Sequence, residues 1–307
     1  MKEIKIFAPA TIANISCGFD ILGLCLDNVG DEMIVRKVST KGLTITKITG
    51  EDLPYETDKN VAGVAGLALL KNIETSVGFE IEIYKNIKPG SGIGSSAASS
   101  AGVVFAINEL LGKPFSINEL IPFAMQGEKL ASGSSHADNV SPALLGGFTL
   151  VKSYNPLEVI KIKAPSKLFA TIIHPQIEIK TSDARAVLKP QVNLSQMVKQ
   201  MGNLGGLICG LYTDDYELIG RSLHDEIIEP NRSILIPEFN KVKLEAIKLG
   251  ALGAGISGSG PSIFALSKGE ETAKIVGEVM ARIYDKTFID YDVHISKINT
   301  EGIKIIK

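Results

Sequence analysis

The stretch FEIEIYKNIKPGSGIGSSAASSAGVVFAINELLG, Phe79 to Gly112, changes its period twice and constrains the fold more than any other part of the chain. Phe79, Ile81 and Ile83 alternate with Glu80 and Glu82, the pattern of a half-buried strand. Val103, Val104, Ala106, Ile107, Leu110 and Leu111 then recur at helical spacing until Gly112-Lys113-Pro114 stops the run. Between the two lie Gly90, Gly92 and Gly94, followed by Ser95 and Ser96. A helix start carries unpaired backbone N–H groups and the positive end of the helix dipole. Glycines let that backbone approach a polyanion closely, and the two serines add hydroxyls for phosphate oxygens or a magnesium ion. A tight turn with a serine cap explains one glycine and one serine; three and two together point to phosphate.

The identity of the phosphate is narrowed by what is missing. No lysine follows Gly94, so the turn is not G-x-x-x-x-G-K-[ST]. A G-x-G-x-x-G string does occur, at Gly253–Gly258, but the helical run VKLEAIKLGAL precedes it and SIFALS follows as a strand. A dinucleotide site needs a strand before and a helix after, so that reading is set aside.

The chain of 307 residues is long for one core and suggests two domains. Its formal charge of −2 leaves no basic footprint for nucleic acid, and no run of like charge marks a membrane-surface patch. MKEIKIFAPA lacks the apolar core of a signal peptide and reads as a short strand, and no apolar run is long enough to span a bilayer. Cys17, Cys25 and Cys209 are too scattered for a disulfide framework, and His136, His174, His224 and His294 show no zinc spacing. The expectation is a cytoplasmic protein with no structural metal.

Glu32–Val38 and Gly42–Ile48 alternate like strands, and Asn60–Gly78 carries Val61, Val64, Ala65, Ala68 and Leu69 at helical spacing. Ser116 with Glu119 three residues on is a capping box that opens a further helix. Two strand-like runs flank Ala164-Pro165, which places a domain boundary there: 1–163 and 164–307. The second half mixes apolar helices with antiparallel-looking strands and no regular βαβ repeat, so the class is α+β.

Two glycine–serine segments far apart, PGSGIGSSAAS and GAGISGSGPS, together with PATIANISCGFD near the amino end, resemble the three motifs of the GHMP kinases, in order along the chain. Pro9–Asp20 is close to P-A-[ST]-x-A-N-L-G-x-G-F-D, with Ser16 where glycine is usual, and HADNV (His136–Val140) and KTSDARAVL (Lys180–Leu188) are similar to the homoserine kinase branch. The resemblance implies a two-domain α+β architecture, an amino-terminal half like ribosomal protein S5 domain 2 (1–163) and a ferredoxin-like carboxyl-terminal half (164–307). It implies an ATP- and magnesium-dependent phosphotransferase acting on the side-chain hydroxyl of L-homoserine, in threonine biosynthesis. A GHMP kinase with a mevalonate-type acceptor and a silent nucleotide-binding regulator remain as alternatives.

Carried onto this chain, the resemblance places the ATP phosphates along Pro89, Gly90, Ser91, Gly92, Ile93, Gly94, Ser95, Ser96, Ala97, Ala98 and Ser99. It gives magnesium to Ser96 and Glu128, a donor set that suits a hard cation once phosphate oxygens and water complete it. Gly258, Ser259 and Gly260 would shape the cleft from the second half. The acceptor zwitterion falls to Asn14 and Asp20 for the ammonium group and to Arg185 and Arg232 for the carboxylate. His136, Thr181 and Gly258 stand beside it. Read without the family, Glu128 is a solvated helix carboxylate, Gly258–Gly260 a plain turn, and Arg185 and Arg232 surface arginines.

In mevalonate-kinase-like relatives an aspartate serves as base. Asp138 and Asn139 are both near that place, and the resemblance favours Asn139 facing the hydroxyl. An amide accepts no proton usefully, so direct in-line attack is expected, with Asn139 and Arg185 orienting the hydroxyl and Glu128 acting through magnesium. The expected partners are L-homoserine, ATP and a second copy of the chain in a homodimer. LGGLICGLY (Leu204–Tyr212) reads as a buried core helix, with a subunit contact as the alternative.

Overall fold

The computed structural model describes residues 2–306. The amino-terminal part runs β1 (Glu3–Ala13), β2 (Leu22–Val38), β3 (Leu43–Thr49), α1 (Val61–Leu70), β4 (Gly78–Tyr84), α2 (Ser95–Leu110), α3 (Ile117–Ser132), α4 (Val140–Leu145), β5 (Phe148–Tyr154) and β6 (Leu157–Ile162). The rest runs β7 (Leu168–Pro175), α5 (Thr181–Ala186), α6 (Leu194–Thr213), α7 (Tyr216–Ser222), α8 (Glu229–Arg232), α9 (Phe239–Lys248), β8 (Ala251–Ile256), β9 (Ile263–Lys268), α10 (Glu270–Tyr284), β10 (Tyr291–Lys297) and β11 (Lys304–Ile306).

Two sheets divide these strands. The larger has the order β11-β1-β2-β4-β3, with β5 on the amino-terminal end of β2 and β6 beyond it; among the described residues only β3 and β4 pair in parallel. The smaller has the order β10-β7-β9-β8. Along the chain it reads β7, helices, β8, β9, α10, β10, and the spatial order 4-1-3-2 is that of a ferredoxin-like unit. The expected two-part α+β architecture is therefore present. The chain leaves one sheet at Ile162 and enters the other at Leu168, while β11 returns to pair with β1.

The alternation of Phe79, Ile81 and Ile83 does what the pattern requires: all three are buried against α1 and α2, while Glu80 and Glu82 face outward. Ala97, Ala101, Val104 and Leu110 of α2 complete the same core with α1 and α3. A second core, including Ile12, Leu24, Phe148, Leu207 and Phe264, joins the large sheet to the small one. Asp27, Asn28 and Leu26 of β2 reach β10 and its exit by backbone and side-chain bonds, so the cleft between the halves has fixed walls.

Three local expectations change. The helix in Asn60–Gly78 stops at Leu70, where Asn72 turns its amide back onto the Ala68 carbonyl at 2.9 Å. The strand expected from Glu32 begins at Leu22 and spans both parts of the sheet. The glycine string at 253–258 does not follow a helix directly: helix α9 ends at Lys248, and Ala251–Ile256 is strand β8 of a hairpin with β9. Gly253 and Gly255 are needed there because a Cβ would press on Leu223 and on Ser16. The hairpin leaves no helix start for a dinucleotide.

Candidate active site

The exit of β4 is gripped from β2. Asp31 and Lys85 form a fully buried ion pair, and Asp31 also accepts the backbone N–H groups of Asn86 (2.8 Å) and Ile87 (3.0 Å). Lys85 then donates to the Ser95 carbonyl and the Ser99 hydroxyl, both at 3.1 Å. A buried charge pair of this kind specifies geometry more than it adds stability. Here it ties the strand end to the first turn of α2.

Between these anchors Gly90, Gly92 and Gly94 all adopt left-handed backbone (φ +76°, +82° and +72°), which explains why the turn needs glycine three times. Gly94 is the N-cap of α2 and supplies no side-chain bond, so the first-turn amides stay free. The second glycine segment presses on the first backbone to backbone. Ser257 Oγ donates to the Gly92 carbonyl at 2.7 Å, and Ser262 Oγ donates to the Ser91 carbonyl at 2.6 Å. A Cβ on Gly92 would lie 2.6 Å from the Gly260 oxygen, and one on Gly258 3.1 Å from the Gly92 oxygen.

The free amides open on a cavity of about 620 Å³ between the two halves. Of the eleven residues expected around phosphate, Pro89, Gly90, Gly92, Gly94, Ser95, Ser96 and Ser99 line it. Ser91 and Ile93 are buried beside it, and Ala97 and Ala98 turn into the two cores. The Ser95 hydroxyl is engaged by the Ile87 carbonyl at 2.8 Å, which leaves Ser96 as the serine able to meet a ligand. A second opening of about 700 Å³ lies at the far end of β4, lined by Leu67, Leu70, Ile73 and Val77 with Lys41, Lys71 and Glu74; no set of polar groups converges in it.

Glu128, on α3, is not a solvated carboxylate: it is 6% exposed and faces the cavity. Gly127 makes this possible, because a Cβ there would collide with the Ser100 hydroxyl and hold α3 away from α2. Burial pushes the Glu128 carboxyl up to about 7, opposed by the Ser96 hydroxyl and by the charge of Lys85. Its Oε1 is buried without a hydrogen-bond partner, an orphan beside the Ser96 hydroxyl. A carboxylate and a hydroxyl facing the phosphate turn fit a magnesium ion that takes its other ligands from nucleotide and water.

The acceptor side is built on strained backbone. Asn14, Ile15, Ser16 and Asp20 all have positive φ (71°, 42°, 58° and 60°), a concentration that functional sites show when surrounding contacts hold it. Asn14 supplies those contacts: its amide donates to the Gly258 carbonyl at 2.7 Å and its oxygen accepts the Asp20 N–H at 3.0 Å. Arg185 Nη2 bonds both oxygens of Asp20 (2.8 and 3.0 Å) and meets His136 Nε2 at 2.8 Å. Burial, with the two arginines beside it, lowers the His136 pKa against the pull of Asp20.

Arg232 is likewise no surface residue. It is 3% exposed, donates to the carbonyls of Ala184 (2.8 Å) and Gly258 (3.2 Å), and burial lowers its pKa to about 10, with Arg185 adding to the same effect. Both guanidinium groups lie over the Phe19 ring, at 5.5 Å and 4.9 Å. Thr181, at the start of α5, lines the same wall. Asn139 accepts a hydrogen bond from Thr11 Oγ1 at 2.7 Å and sits beside Gly94. Asp138, its neighbour, is buried in the cavity wall with Oδ1 unpartnered, and burial together with Asp20 and Glu128 pushes its carboxyl up to about 7.

All the expected acceptor, metal and catalytic residues thus meet in one cavity. Sequence reasoning missed Lys85, Asp31, Phe19 and Thr11, and also Tyr154, whose hydroxyl donates to the Asp20 carbonyl at 2.9 Å. None of these belongs to a spaced motif except Thr11 and Phe19, which sit inside the first one.

Comparison with known proteins gives the family of the chain. The family model for the GHMP kinases N terminal domain matches residues 60–147, and that for GHMP kinases C terminal matches 207–286. A homoserine kinase of Chlorobium phaeobacteroides is 46% identical over 320 aligned positions, covering 100% of both chains. One of Methanococcus maripaludis is 41% identical, covering 90% of this chain and 91% of its own. The crystal structure of homoserine kinase from Cytophaga hutchinsonii superposes with a TM-score of 0.96 at 52% identity, over 100% of this chain and 98% of that one. A mevalonate kinase structure superposes at 0.72 with 16% identity over 97% of this chain and 99% of that one, which speaks for the fold alone.

Proposed function

We propose a division of labour among the site residues of a chain that belongs to the GHMP kinases and, within them, to the homoserine kinases. It is a phosphotransferase that moves the terminal phosphoryl group of ATP to the side-chain hydroxyl of L-homoserine, giving O-phospho-L-homoserine for threonine synthesis. The observation that carries the assignment of roles is a single cavity with a bare, N–H-lined helix start at one end and an Asp20–Arg185–Arg232 cluster at the other.

The turn from Pro89 to Ser99 holds the ATP phosphates by its free amides. Glu128 and Ser96 hold a magnesium ion, which when bound supplies positive charge for the oxygens of the transferring group. Asp20 takes the ammonium group of homoserine and Arg185 with Arg232 its carboxylate, while Asn14 keeps the loop in its strained shape and Thr181, His136 and Gly258 close the wall. Asn139, held by Thr11, orients the hydroxyl.

The hydroxyl oxygen bonds to the γ-phosphorus as the bond to the bridging oxygen of ADP breaks, and the proton passes to a phosphoryl oxygen. A loose transition state places little demand on a base, so orientation and electrostatics carry the rate. Asp138 supports a second reading, in which its carboxylate, with one oxygen unpartnered and a pKa pushed up to about 7, takes the proton instead.

The compartment we propose is the cytoplasm, where ATP and amino-acid precursors are met; no described helix is long and apolar enough to cross a membrane. We also keep 1–163 and 164–307 as the two functional halves, and a homodimer as the assembly. A coupled ADP-release assay with L-homoserine, mevalonate, galactose and threonine tests the acceptor assignment. Turnover confined to homoserine supports it, and preference for an acceptor without an amino group contradicts it.

A further inference from the structure

Strand β1 breaks its pairing with β2 just before the cavity. Pro9 lies opposite Gly30 but Thr11 lies opposite Cys25, so the ladder slips within two residues. Irregularities of this kind re-aim a side chain, and the one re-aimed here is Thr11. It is fully buried and fastened at both ends. Its N–H donates to the Ile93 carbonyl in the phosphate turn at 3.1 Å, and its Oγ1 donates to Asn139 Oδ1 at 2.7 Å.

The second bond decides which end of the Asn139 amide faces a ligand. The Thr11 hydroxyl has no other hydrogen-bond partner among the described residues, so its proton goes to Asn139 and the amide oxygen is the end it holds. Gly94 backs the same end. A Cβ there would lie 2.1 Å from Thr11 Oγ1 and 3.2 Å from Asn139 Oδ1, so both oxygens sit on the bare Cα–H side of the N-cap of α2. A C–H group is a weak donor that suits an oxygen and not an NH2 group. Asn139 lines the cavity, and among the described residues its Nδ2 donates to nothing. The polar group it offers a ligand is therefore a donor.

We propose that Thr11 is a positioning residue that sets acceptor specificity: by holding the Asn139 oxygen it turns an N–H toward the acceptor, which admits a hydroxyl and rejects an ammonium group in the same place. This deepens the role given to Asn139 above and rests on that residue facing the acceptor hydroxyl. An N–H donates to one lone pair of a hydroxyl oxygen and leaves the other for the phosphorus, with the hydroxyl proton unheld. An alkyl ammonium has three N–H groups and no lone pair, so hydrogens would face hydrogens. Such a mismatch discriminates strongly, because the buried donors go unpaired. With Asp20 taking the one ammonium group of homoserine, a donor at the other end also fixes which way round the amino acid lies.

The hydroxyl of Thr11 can be removed without changing its shape. In Thr11→Val nothing holds the amide oxygen, so the amide is free to turn and Oδ1 can accept from an ammonium group in the cavity. Thr11→Ser keeps the hydroxyl and loses only a methyl group. A turned amide also sets its oxygen toward the phosphoryl oxygens, like charge beside like, so turnover falls together with selectivity. The other charges of the cavity, Asp138 and Arg185 among them, are the same in every variant and cancel in the comparison.

Steady-state assays on the full chain test this, with L-homoserine as substrate and L-2,4-diaminobutyrate, which carries an ammonium group in place of the hydroxyl, as competitive inhibitor. The quantity read is the ratio of the inhibitor's Ki to the KM for homoserine, which a general loosening of the site leaves in place. The wild-type ratio is expected above about 100; Thr11→Val is expected to lower both the ratio and kcat by about tenfold or more, and Thr11→Ser to keep the wild-type ratio. Thr11→Ala beside Thr11→Ser repeats the comparison at a smaller size if the valine variant does not fold. A wild-type ratio in Thr11→Val or Thr11→Ala, or a ratio in Thr11→Ser that falls as theirs does, overturns the proposal. Asn139→Ala separates it from the reading beneath. Turnover lost there beside an unchanged ratio in Thr11→Val overturns the role of Thr11 alone, and full turnover in Asn139→Ala overturns the placement of Asn139 as well.

Discussion

Replacing Glu128 by glutamine separates what the fold needs from what the chemistry needs. Burial raises this carboxyl from 4.5 to about 7. The unfolded chain releases the proton near the lower value and the folded chain near the upper one. Between those values the folded state binds more protons, so stability falls as pH rises through the window and stays lower above it. At 1.36 kcal/mol per unit, the shift corresponds to a penalty of about 3 kcal/mol at pH 8 that is absent at pH 4 and small at pH 5. Glutamine has the same shape and carries no charge, so Glu128→Gln escapes the penalty. Asp138 is raised in part by Glu128, and its own shift shrinks in the variant, which acts in the same direction.

Denaturant titrations of nucleotide- and magnesium-free protein should therefore give closely similar stabilities for wild type and variant at pH 5. At pH 8 the variant should be the more stable by an amount on the order of 3 kcal/mol, while ADP release with homoserine is lost. A stability difference that does not change between pH 5 and pH 8 would refute the claim that the site buries an uncompensated carboxylate.

Arg185→Lys keeps the charge but loses the planar guanidinium whose Nη2 meets both Asp20 and His136 and which lies over the Phe19 ring; the KM for homoserine should rise roughly 10- to 100-fold, with a smaller effect on the KM for ATP, in steady-state assays. Gly92→Ala sets a methyl group 2.6 Å from the Gly260 oxygen at a φ of +82°, and should cost about 1–3 kcal/mol in denaturant titration and weaken ATP binding by calorimetry. Lys85→Met leaves Asp31 buried and unpaired and should destabilise by about 3–5 kcal/mol, with Asp31→Asn added to it restoring part of the loss.

Much of the site was legible because its motifs are local. The strand, turn and helix around Gly90–Ser99 follow from period and from glycine, and the capping box at Ser116 and Glu119 marks the start of α3 in the structure as in the sequence. What was not legible depends on residues distant in the chain. Glu128 is buried because Gly127 admits Ser100, and Arg232 because Ala184 and Gly258 offer it carbonyls. Asp31 and Lys85 carry no spacing signal, since they meet only when β2 and β4 pair. Leu204–Tyr212 reads as a core helix and packs as one, with Leu207 and Leu211 buried and Leu204 and Ile208 against the same core; the part without a signal is upstream, where Gln196 and Gln200 are what face the protein.

The central claim is that this kinase positions its hydroxyl rather than deprotonating it with a side chain. The most direct measurement is kcat and homoserine affinity for Asp138→Asn beside Asn139→Asp, each checked for wild-type folding by circular dichroism. Direct attack predicts that Asp138→Asn keeps turnover within about tenfold of wild type, and that Asn139→Asp, which puts a negative charge beside the phosphate turn, loses most of it. Abolished turnover in Asp138→Asn with homoserine still bound, and turnover retained in Asn139→Asp, would contradict the account and make Asp138 the base.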